Sequence, residues 1–141
     1  MTSKSIIVDA NILIRAVLGV RVRQLIDRYG VNVAFCTPAI ALDEAADNLP
    51  TIAETRNDDP GELLDALDQL RLVIETIPLE DLEPLQPKAL KRIGRRDPSD
   101  WPFVAAALTL DCPIWTEDQD FFGVGVATWT SDRVEIYLRG E

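Results

Sequence analysis

Apolar, strand-like runs alternate with helix-forming segments along this chain, and that alternation is the feature that most restricts its fold. The runs are continuously apolar, as in Ile6-Ile7-Val8 and Pro113-Ile114-Trp115. Strands that are apolar on both faces are typical of a parallel sheet covered by helices on both sides. The pattern therefore predicts a three-layer α/β/α fold around a central, mainly parallel β-sheet.

Capping residues and apolar spacing predict where individual elements begin and end. Thr37-Pro38 and Asp97-Pro98 are typical helix starts, with a capping residue before a proline at the first helical position. Pro50 is expected to interrupt or restart the helix that begins at Pro38. The predicted strands cover residues 3–8, 32–36, 72–77, 112–116, 124–129 and 134–138. The predicted helices cover residues 10–18, 20–29, 38–48, 87–93 and 98–110 and a segment that opens at 59, while 78–87 is expected to be a loop.

The length and the N-terminus suggest a simple organisation. A chain of 141 residues suits one domain, so we expect a single domain over residues 1–141. No apolar stretch approaches the roughly 20 residues that a membrane span requires. The first residues lack the pattern of a signal peptide, and we therefore expect a cytoplasmic protein without a membrane partner.

The sequence contains no histidine, which excludes catalytic triads and zinc sites that need imidazole. Its two cysteines, Cys36 and Cys112, lie far apart in strand-like runs, and we expect two buried thiols rather than a disulfide. Chemistry must then come from carboxylates, amines or hydroxyls. Carboxylates are the most abundant of these, with 24 Asp and Glu against 14 Lys and Arg and a net charge of −10.

Several acidic residues fall where strands end or helices begin. Asp9 ends the first strand, Asp118 and Asp120 follow a later strand, and Glu44 and Asp100 lie near helix starts. Because the carboxyl ends of parallel strands meet at one edge of a sheet, these acids can converge on one crevice. Two unit charges about 4 Å apart repel by roughly 4 kcal/mol at an effective dielectric near 20. A hard cation such as Mg²⁺ or Mn²⁺ is the natural neutraliser.

Each acid also has a purely structural interpretation. Asp9 and Asp97 could cap helices, and Asp100 could be the partner of Asp97 in a capping box. Asp118 and Asp120 suit a turn. Glu44 could simply face solvent. The case for a site therefore depends on whether these residues come together.

Nine of the 14 basic residues form two clusters along the chain. The net charge of −10 opposes binding to nucleic acid, but a local cluster of basic residues can still attract phosphates. Each cluster could be no more than a solvated helix face. The second one leads directly into Asp97–Asp100, so we interpret it as a patch that binds nucleic-acid phosphates beside the site. The first cluster is Arg15, Arg21, Arg23 and Arg28; the second is Lys88, Lys91, Arg92, Arg95 and Arg96.

Four blocks of the sequence resemble PIN-domain nucleases of the kind found as toxins of VapBC toxin–antitoxin pairs. The last two blocks are the most specific, and the resemblance extends over the whole chain. One departure is Ala10, where many relatives carry Ser or Thr. The blocks are Val8-Asp9-Ala10-Asn11-Ile12-Leu13-Ile14, Pro38 through Glu44, Asp97-Pro98-Ser99-Asp100-Trp101-Pro102 with Val104-Ala105-Ala106-Ala107, and Pro113 through Phe122.

The resemblance implies a metal-dependent endoribonuclease with Mg²⁺ or Mn²⁺ as cofactor. It implies RNA as substrate, a small antitoxin protein as partner, and an assembly that could be a homodimer. Asn11 and Thr116 match positions that support the site. The catalytic acids carry over onto Asp9, Glu44, Asp100 and Asp118, and the metal ligands onto Asp9, Asp100, Asp118 and the auxiliary Asp120.

Other classes fit less well. A receiver domain would need an acidic pair after the first strand and a lysine at the end of the last sheet strand, yet Ala10 and Asn11 follow Asp9 and no lysine follows Lys91. A dehalogenase-like phosphatase would need Asp in place of Asn11. Two alternatives stay open, an RNA-processing PIN nuclease without an antitoxin and an inactive PIN fold that only binds.

Overall fold

The computed structural model describes residues 4–140, and within them five strands form one parallel sheet. The strands are β1 Lys4–Val8, β2 Val33–Pro38, β3 Glu75–Ile77, β4 Ile114–Trp115 and β5 Thr128–Trp129. Their order is β3-β2-β1-β4-β5, with every neighbouring pair parallel. The predicted parallel sheet is confirmed. Ser3, the expected start of the first strand, lies outside the described residues.

Helices cover the sheet in two groups. The helices are α1 Ala10–Leu18, α2 Arg21–Tyr29, α3 Ala39–Arg56, α4 Pro60–Arg71, α5 Leu79–Leu82, α6 Gln86–Ile93, α7 Trp101–Leu110 and α8 Val134–Arg139. Helices α1, α3 and α4 pack on one another, while α5 and α6 pack on α7, which itself contacts β1, β2 and β4. This arrangement confirms the predicted three-layer α/β/α fold.

The central strand β1 explains why its sequence is continuously apolar. Ile6, Ile7 and Val8 have no exposed surface, because helices cover the strand on both faces. Beside β1, the rings of Phe35 and Trp115 pack with their centroids 6.2 Å apart. Full burial of an Ile, Val or Phe side chain contributes roughly 1.5–3 kcal/mol to folding. Burial on both faces therefore stabilises the strand that carries Asp9 at its end.

Strand register decides which residues leave the sheet side by side. Val8 pairs with Trp115, and the Asp9 amide donates a hydrogen bond to the Trp115 carbonyl at 3.3 Å. The next residue after Trp115 is Thr116, so Asp9 and Thr116 emerge together at the carboxyl edge of the sheet. The fold thus brings together two parts of the chain that are distant in sequence.

Helix α3 differs from its prediction at both ends and in the middle. It begins at Ala39 rather than Pro38, and the Thr37 hydroxyl donates to the Val8 carbonyl at 2.7 Å instead of capping the helix. It also continues through Pro50 to Arg56. Pro50 is exposed, so its ring faces solvent, and buried Leu49 and Ala53 hold the helix together across the missing hydrogen bond.

Two predictions of secondary structure late in the chain are wrong. Residues 78–87, expected as a loop, contain α5, a 3₁₀ turn at Glu83–Leu85 and the start of α6, because their prolines fall at first-turn or capping positions. Residues 134–138, expected as a strand, belong to α8. Its buried residues Val134 and Leu138 are four apart, which is the spacing of one helix face.

Other strands are shorter than predicted. The segment 124–129 retains only Thr128–Trp129 as strand, since Gly123 and Gly125 adopt positive φ angles of 82° and 87° that extended strands do not accept. The segment 72–77 retains only Glu75–Ile77, and Leu72 is exposed before it. The outer strands of the sheet are therefore short.

The thiols and the membrane expectation can be compared directly with the structure. Cys36 is buried and Cys112 is half-buried, and both are free thiols rather than a disulfide. Between residues 4 and 140, no helix combines the length and the apolar character needed to cross a membrane.

We expect Pro50→Ala to raise the free energy of unfolding by about 1–2 kcal/mol, because alanine restores a hydrogen bond inside α3 and has the higher helix propensity. Urea denaturation followed by circular dichroism would measure the change. Pro60→Ala is the matched control, since Pro60 occupies the favourable first position of α4 and should give no gain. A loss of stability in Pro50→Ala would contradict a continuous α3.

Candidate active site

Four carboxylates from separate parts of the chain line one small pocket at the carboxyl edge of the sheet. They belong to Asp9 after β1, Glu44 on α3, Asp100 at the start of α7 and Asp118 after β4. The pocket has a volume of about 30 Å³, which is room for an ion or for one or two water molecules. The structure therefore places together the four acids that the sequence assigned to catalysis.

Asp9 is held by two hydrogen bonds at the bottom of this pocket. Its Oδ1 accepts from the Ile12 amide at 2.9 Å, which caps α1, and its Oδ2 accepts from the Thr116 hydroxyl. The residue is only 4% exposed. Burial raises the pKa of Asp9 to about 6, because loss of hydration outweighs the two hydrogen bonds, and the charge of Asp118 adds to the rise. Asp9 thus caps α1 and also carries a carboxylate whose ionised form is destabilised by burial.

Thr116 joins the ends of β1 and β4. It is fully buried, and besides donating to Asp9 its hydroxyl accepts from the Asp118 amide at 2.9 Å. Asp118 then accepts from the Asp120 amide at 2.9 Å and caps the 3₁₀ turn Gln119–Phe121. The turn interpretation of Asp118 is correct locally, but the same geometry orients its carboxylate beside that of Asp9.

Asp100 lies opposite, where the 3₁₀ turn Pro98–Asp100 leads into α7. Burial raises the pKa of Asp100 to about 7, and the charges of Asp97 and Asp118 push it in the same direction. The predicted cap is confirmed, since Asp97 accepts from the Ser99 amide at 3.2 Å. The charges that act on Asp100 come from other carboxylates, so the folded chain holds negative charge here at a cost.

Two aromatic residues complete the walls of the pocket and were missed by the sequence analysis. Phe103 on α7 and Phe121 are buried, and their rings meet edge to face with centroids 5.9 Å apart. Their apolar surface is one reason why the carboxylates are poorly hydrated. Phe121 closely follows the acids Glu117, Asp118 and Asp120, and an aromatic residue at that place was the available signal.

The remaining predicted residues lie at the mouth of the pocket or beyond it. Glu44 and Asn11 are exposed at its rim. Asp120 lies instead in a neighbouring pocket of about 720 Å³, which it shares with Asn11 and Asp118. Asp120 is therefore near the acidic pocket without lining it.

The spacing of the acids bears on metal binding. In residues 4–140, no three His, Cys, Asp or Glu side chains form a ready-made metal-binding group. The donors nevertheless suit a hard divalent cation, since they are all carboxylate oxygens, and neighbouring carboxylates add to the raised pKa of Asp9 and of Asp100. Water molecules would have to complete the coordination, as Mg²⁺ commonly requires.

The basic cluster of Lys88, Lys91, Arg92, Arg95 and Arg96, which lies on α6 and directly after it, differs in part from its prediction. Lys88, Lys91 and Arg95 are exposed. Arg92 donates to the Gly125 carbonyl at 3.1 Å, and Arg96 donates to the Asp120 carbonyl at 3.1 Å and to that of Phe122. Two of the five predicted RNA-binding residues are therefore engaged in holding the loop that follows Asp118.

Comparison with known proteins identifies the class. A family model described as the PIN domain matches residues 7–139, and the chain therefore belongs to the PIN-domain family. Membership of this family supports a nuclease activity. A comparison with curated proteins finds no matching sequence.

Three solved structures have folds similar to that of this chain. VapBC2 from Rickettsia felis, bound to a DNA fragment from their promoter, has a TM-score of 0.66 and 12% identity over 89% of this chain and 98% of that one. PAE2754 from Pyrobaculum aerophilum has a TM-score of 0.70 and 15% identity over 98% and 91%. FitAB bound to the IR36 DNA fragment has a TM-score of 0.67 and 18% identity over 89% and 94%. At these identities the similarity is one of fold.

Without metal, we expect the protein to become more stable as the pH falls from 8 towards 5. Asp9 and Asp100 ionise near pH 6 and 7 in the folded chain but near 3.8 when unfolded. The folded state therefore binds more protons in that interval, and its stability declines as the pH rises. Thermal melts in EDTA across this range would measure the effect.

The net charge of −10 could produce a similar trend through general repulsion. Asp9→Asn and Asp100→Asn should each melt higher than wild type at pH 8 and respond less to pH. Asp65→Asn removes the same charge from an exposed position on α4 and should keep the wild-type response. Identical pH profiles for all three variants would contradict local crowding.

We also expect Arg96→Ala, but not Arg95→Ala, to loosen the loop 119–125. Of these two residues, Arg96 bonds to carbonyl groups of this loop and Arg95 does not, although both side chains are exposed. Hydrogen exchange should show faster exchange in the loop for Arg96→Ala and none of this change for Arg95→Ala. Equal exchange in the two variants would mean that the Arg96 contacts do not order the loop.

Proposed function

We propose that this chain is a divalent-metal-dependent endoribonuclease, and that it acts as the toxin of a VapBC-type toxin–antitoxin pair. The observation that carries the proposal is the convergence of Asp9, Glu44, Asp100 and Asp118 on one small pocket. Carboxylates that crowd one another in the absence of a cation are typical of sites built for Mg²⁺ or Mn²⁺. Family membership supports the same class of activity.

In this proposal Asp9, Asp100 and Asp118 hold the metal directly or through water, and Asp120 assists from the neighbouring pocket. A bound divalent ion lowers the pKa of water and stabilises negative charge on a phosphodiester. Asp9 is fixed for this role by the Ile12 amide and the Thr116 hydroxyl. Because Thr116 also binds the Asp118 amide, it sets the positions of both carboxylates together.

Glu44 and Asn11 act at the rim of the pocket. Glu44 would orient the attacking water or serve as a further ligand, since its carboxylate is exposed and adjoins the three inner acids. Asn11 lines both the acidic pocket and the wider one, where its amide can donate to a phosphate oxygen. Phe103 and Phe121 limit hydration and thereby strengthen electrostatic interactions within the site.

The partners follow from the same proposal. RNA is the substrate, and the exposed cations Lys88, Lys91 and Arg95 contribute to its binding. A small antitoxin is the protein partner, as supported by the similar folds of VapBC2 and FitAB. An adjacent gene for a small DNA-binding protein would support this pairing, and an isolated gene would favour an RNA-processing nuclease. We further propose one domain over residues 1–141 and a cytoplasmic location.

We expect the purified chain to cleave single-stranded or structured RNA with Mg²⁺ or Mn²⁺ and to lose this activity in EDTA. Asp118→Asn should reduce cleavage by at least about 100-fold, because it removes a charged ligand while the turn keeps its cap. Asp65→Asn is the charge-matched control and should cleave like wild type. Activity that survives chelation would contradict the metal mechanism.

A thermal melt distinguishes this enzyme from a PIN fold that has lost its activity. Mg²⁺ should raise the melting temperature of wild type, since a ligand stabilises the state that binds it. Asp9→Asn and Asp118→Asn should lose that increment, and Asp65→Asn should keep it. An unchanged response to Mg²⁺ in both site variants would show that Asp9 and Asp118 do not hold the ion.

A further inference from the structure

A second groove lies where α1 ends and α2 begins, and it is rich in arginine. Its volume is about 350 Å³, and Arg15, Arg21 and Arg56 line it together with apolar residues of the α1–α2 turn and Ser131. The residues that line it include no carboxylate, although the chain carries 24 acidic residues. The fold therefore gathers positive charge from α1, α2 and α3 at one place on an acidic protein.

Arg15 connects this groove to the candidate active site. It lines the arginine groove and also the pocket of about 720 Å³ that contains Asn11, Asp118 and Asp120. Its side chain is exposed, and within residues 4–140 its guanidinium has no hydrogen-bond or ion-pair partner. An arginine at the boundary between an acidic site and a basic groove is available for a ligand that extends through both.

The other two arginines are only partly engaged. Arg21 lies 3.4 Å from Glu135 through one terminal nitrogen, and Arg56 donates to Asp58 at 2.9 Å through Nε. The Arg56–Asp58 pair is exposed, and Arg21 is exposed beside a half-buried Glu135, so neither ion pair holds its arginine strongly. A guanidinium carries five N–H donors, and one carboxylate does not use them all. Each arginine therefore keeps donors for an anion in the groove.

We infer that the Arg15–Arg21–Arg56 groove binds consecutive backbone phosphates of the RNA strand on one side of the cleavage site. This inference rests on the proposed nuclease function. Guanidinium groups bind phosphate through paired hydrogen bonds, which favours arginine over lysine where orientation matters. A nucleic-acid strand carries a charge at each nucleotide, so a strand seated at the acidic pocket places its next phosphates at Arg15 and then in the groove.

The continuity of the two pockets favours nucleic acid over an acidic polypeptide. The scissile phosphate and the phosphates beside it belong to one strand. The groove shares Arg15 with the pocket of about 720 Å³, and that pocket shares Asn11 and Asp118 with the acidic pocket where the strand would be cut. The apolar residues Leu18, Val20 and Val22 between the arginines provide surface for ribose or bases. The groove is separate from the basic cluster on and after α6, where Arg92 and Arg96 bond to a loop.

Fluorescence anisotropy with a 12-nucleotide single-stranded RNA, labelled at its 3′ end, would test the groove in EDTA, where no cleavage is expected. Arg15→Gln should weaken binding about 5–10-fold and lower the salt slope by about 0.7, and Arg15→Gln with Arg56→Gln should lower it by about 1.4, the values expected for one and two phosphate contacts to a single strand. Arg71→Gln removes the same charge from an exposed position on α4 and should change the affinity less than about twofold. Arg15→Lys should restore the salt slope but only part of the affinity.

The arms of the experiment separate other occupants and a structural role. Equal losses for RNA with a 5′-hydroxyl and with a 5′-phosphate support contacts to internal phosphates, and a loss confined to the 5′-phosphate form overturns them in favour of a terminal-phosphate site. Loss of poly-glutamate binding with unchanged RNA binding would assign the groove to an acidic polypeptide. A lower melting temperature for Arg15→Gln with an unchanged salt slope would show that Arg15 stabilises the end of α1 and does not bind RNA.

Failure of this inference can be told apart from failure of the proposed function. If wild type cleaves RNA with Mg²⁺ but Arg15→Gln binds RNA like Arg71→Gln, the groove does not bind RNA and the proposed nuclease function is still supported. If RNA binding depends on Arg15 but no metal supports cleavage, RNA binding in the groove is supported and the proposed nuclease function is wrong. Absence of measurable RNA binding by wild type would overturn the groove.

Discussion

The buried carboxylate of Asp9 is the group on which the rest of the site depends. It sits at the end of the central strand, where the Ile12 amide and the Thr116 hydroxyl supply hydrogen bonds. These bonds do not fully replace hydration, so the pKa of Asp9 remains raised to about 6. The fold tolerates this cost because β1 is buried on both faces and is paired with strands on both sides. The well-packed centre of the sheet thus compensates for the destabilising burial of the Asp9 carboxylate.

The same strand pairing explains how Thr116 acquires its role. Pairing of Val8 with Trp115 brings the end of β4 next to Asp9, and the Thr116 hydroxyl then bonds to Asp9 while accepting from the Asp118 amide. One hydroxyl therefore couples two carboxylates that are distant in sequence. This coupling supports the proposal that the acids act as a unit, since displacement of either strand would move both.

The positions of the charged residues in this protein matter more for binding than its net charge does. The arginine groove shares Arg15 with the pocket of about 720 Å³, and that pocket shares Asn11 and Asp118 with the acidic pocket. Ion pairs such as Arg23 with Asp27 lie elsewhere on exposed helix surface. A net charge of −10 is therefore compatible with local attraction for a polyanion, because screening in salt limits the reach of distant charges to about 10 Å.

The sequence by itself determined the parallel sheet, the order of its main elements and the set of acids at its carboxyl edge, because continuous apolar runs and caps such as Asp97 act locally. Local signals failed where packing competes with them. Pro50 lies inside α3 because Leu49 and Ala53 are buried around it, and Val134 and Leu138 form a helix face rather than a strand.

Only the tertiary structure decided which charged residues meet. It places Asp120 outside the acidic pocket, engages Arg92 and Arg96 with a loop, and leaves Arg15 open beside the site. Long side chains choose partners across the fold, and those partners are fixed by strand register and helix packing rather than by spacing along the chain.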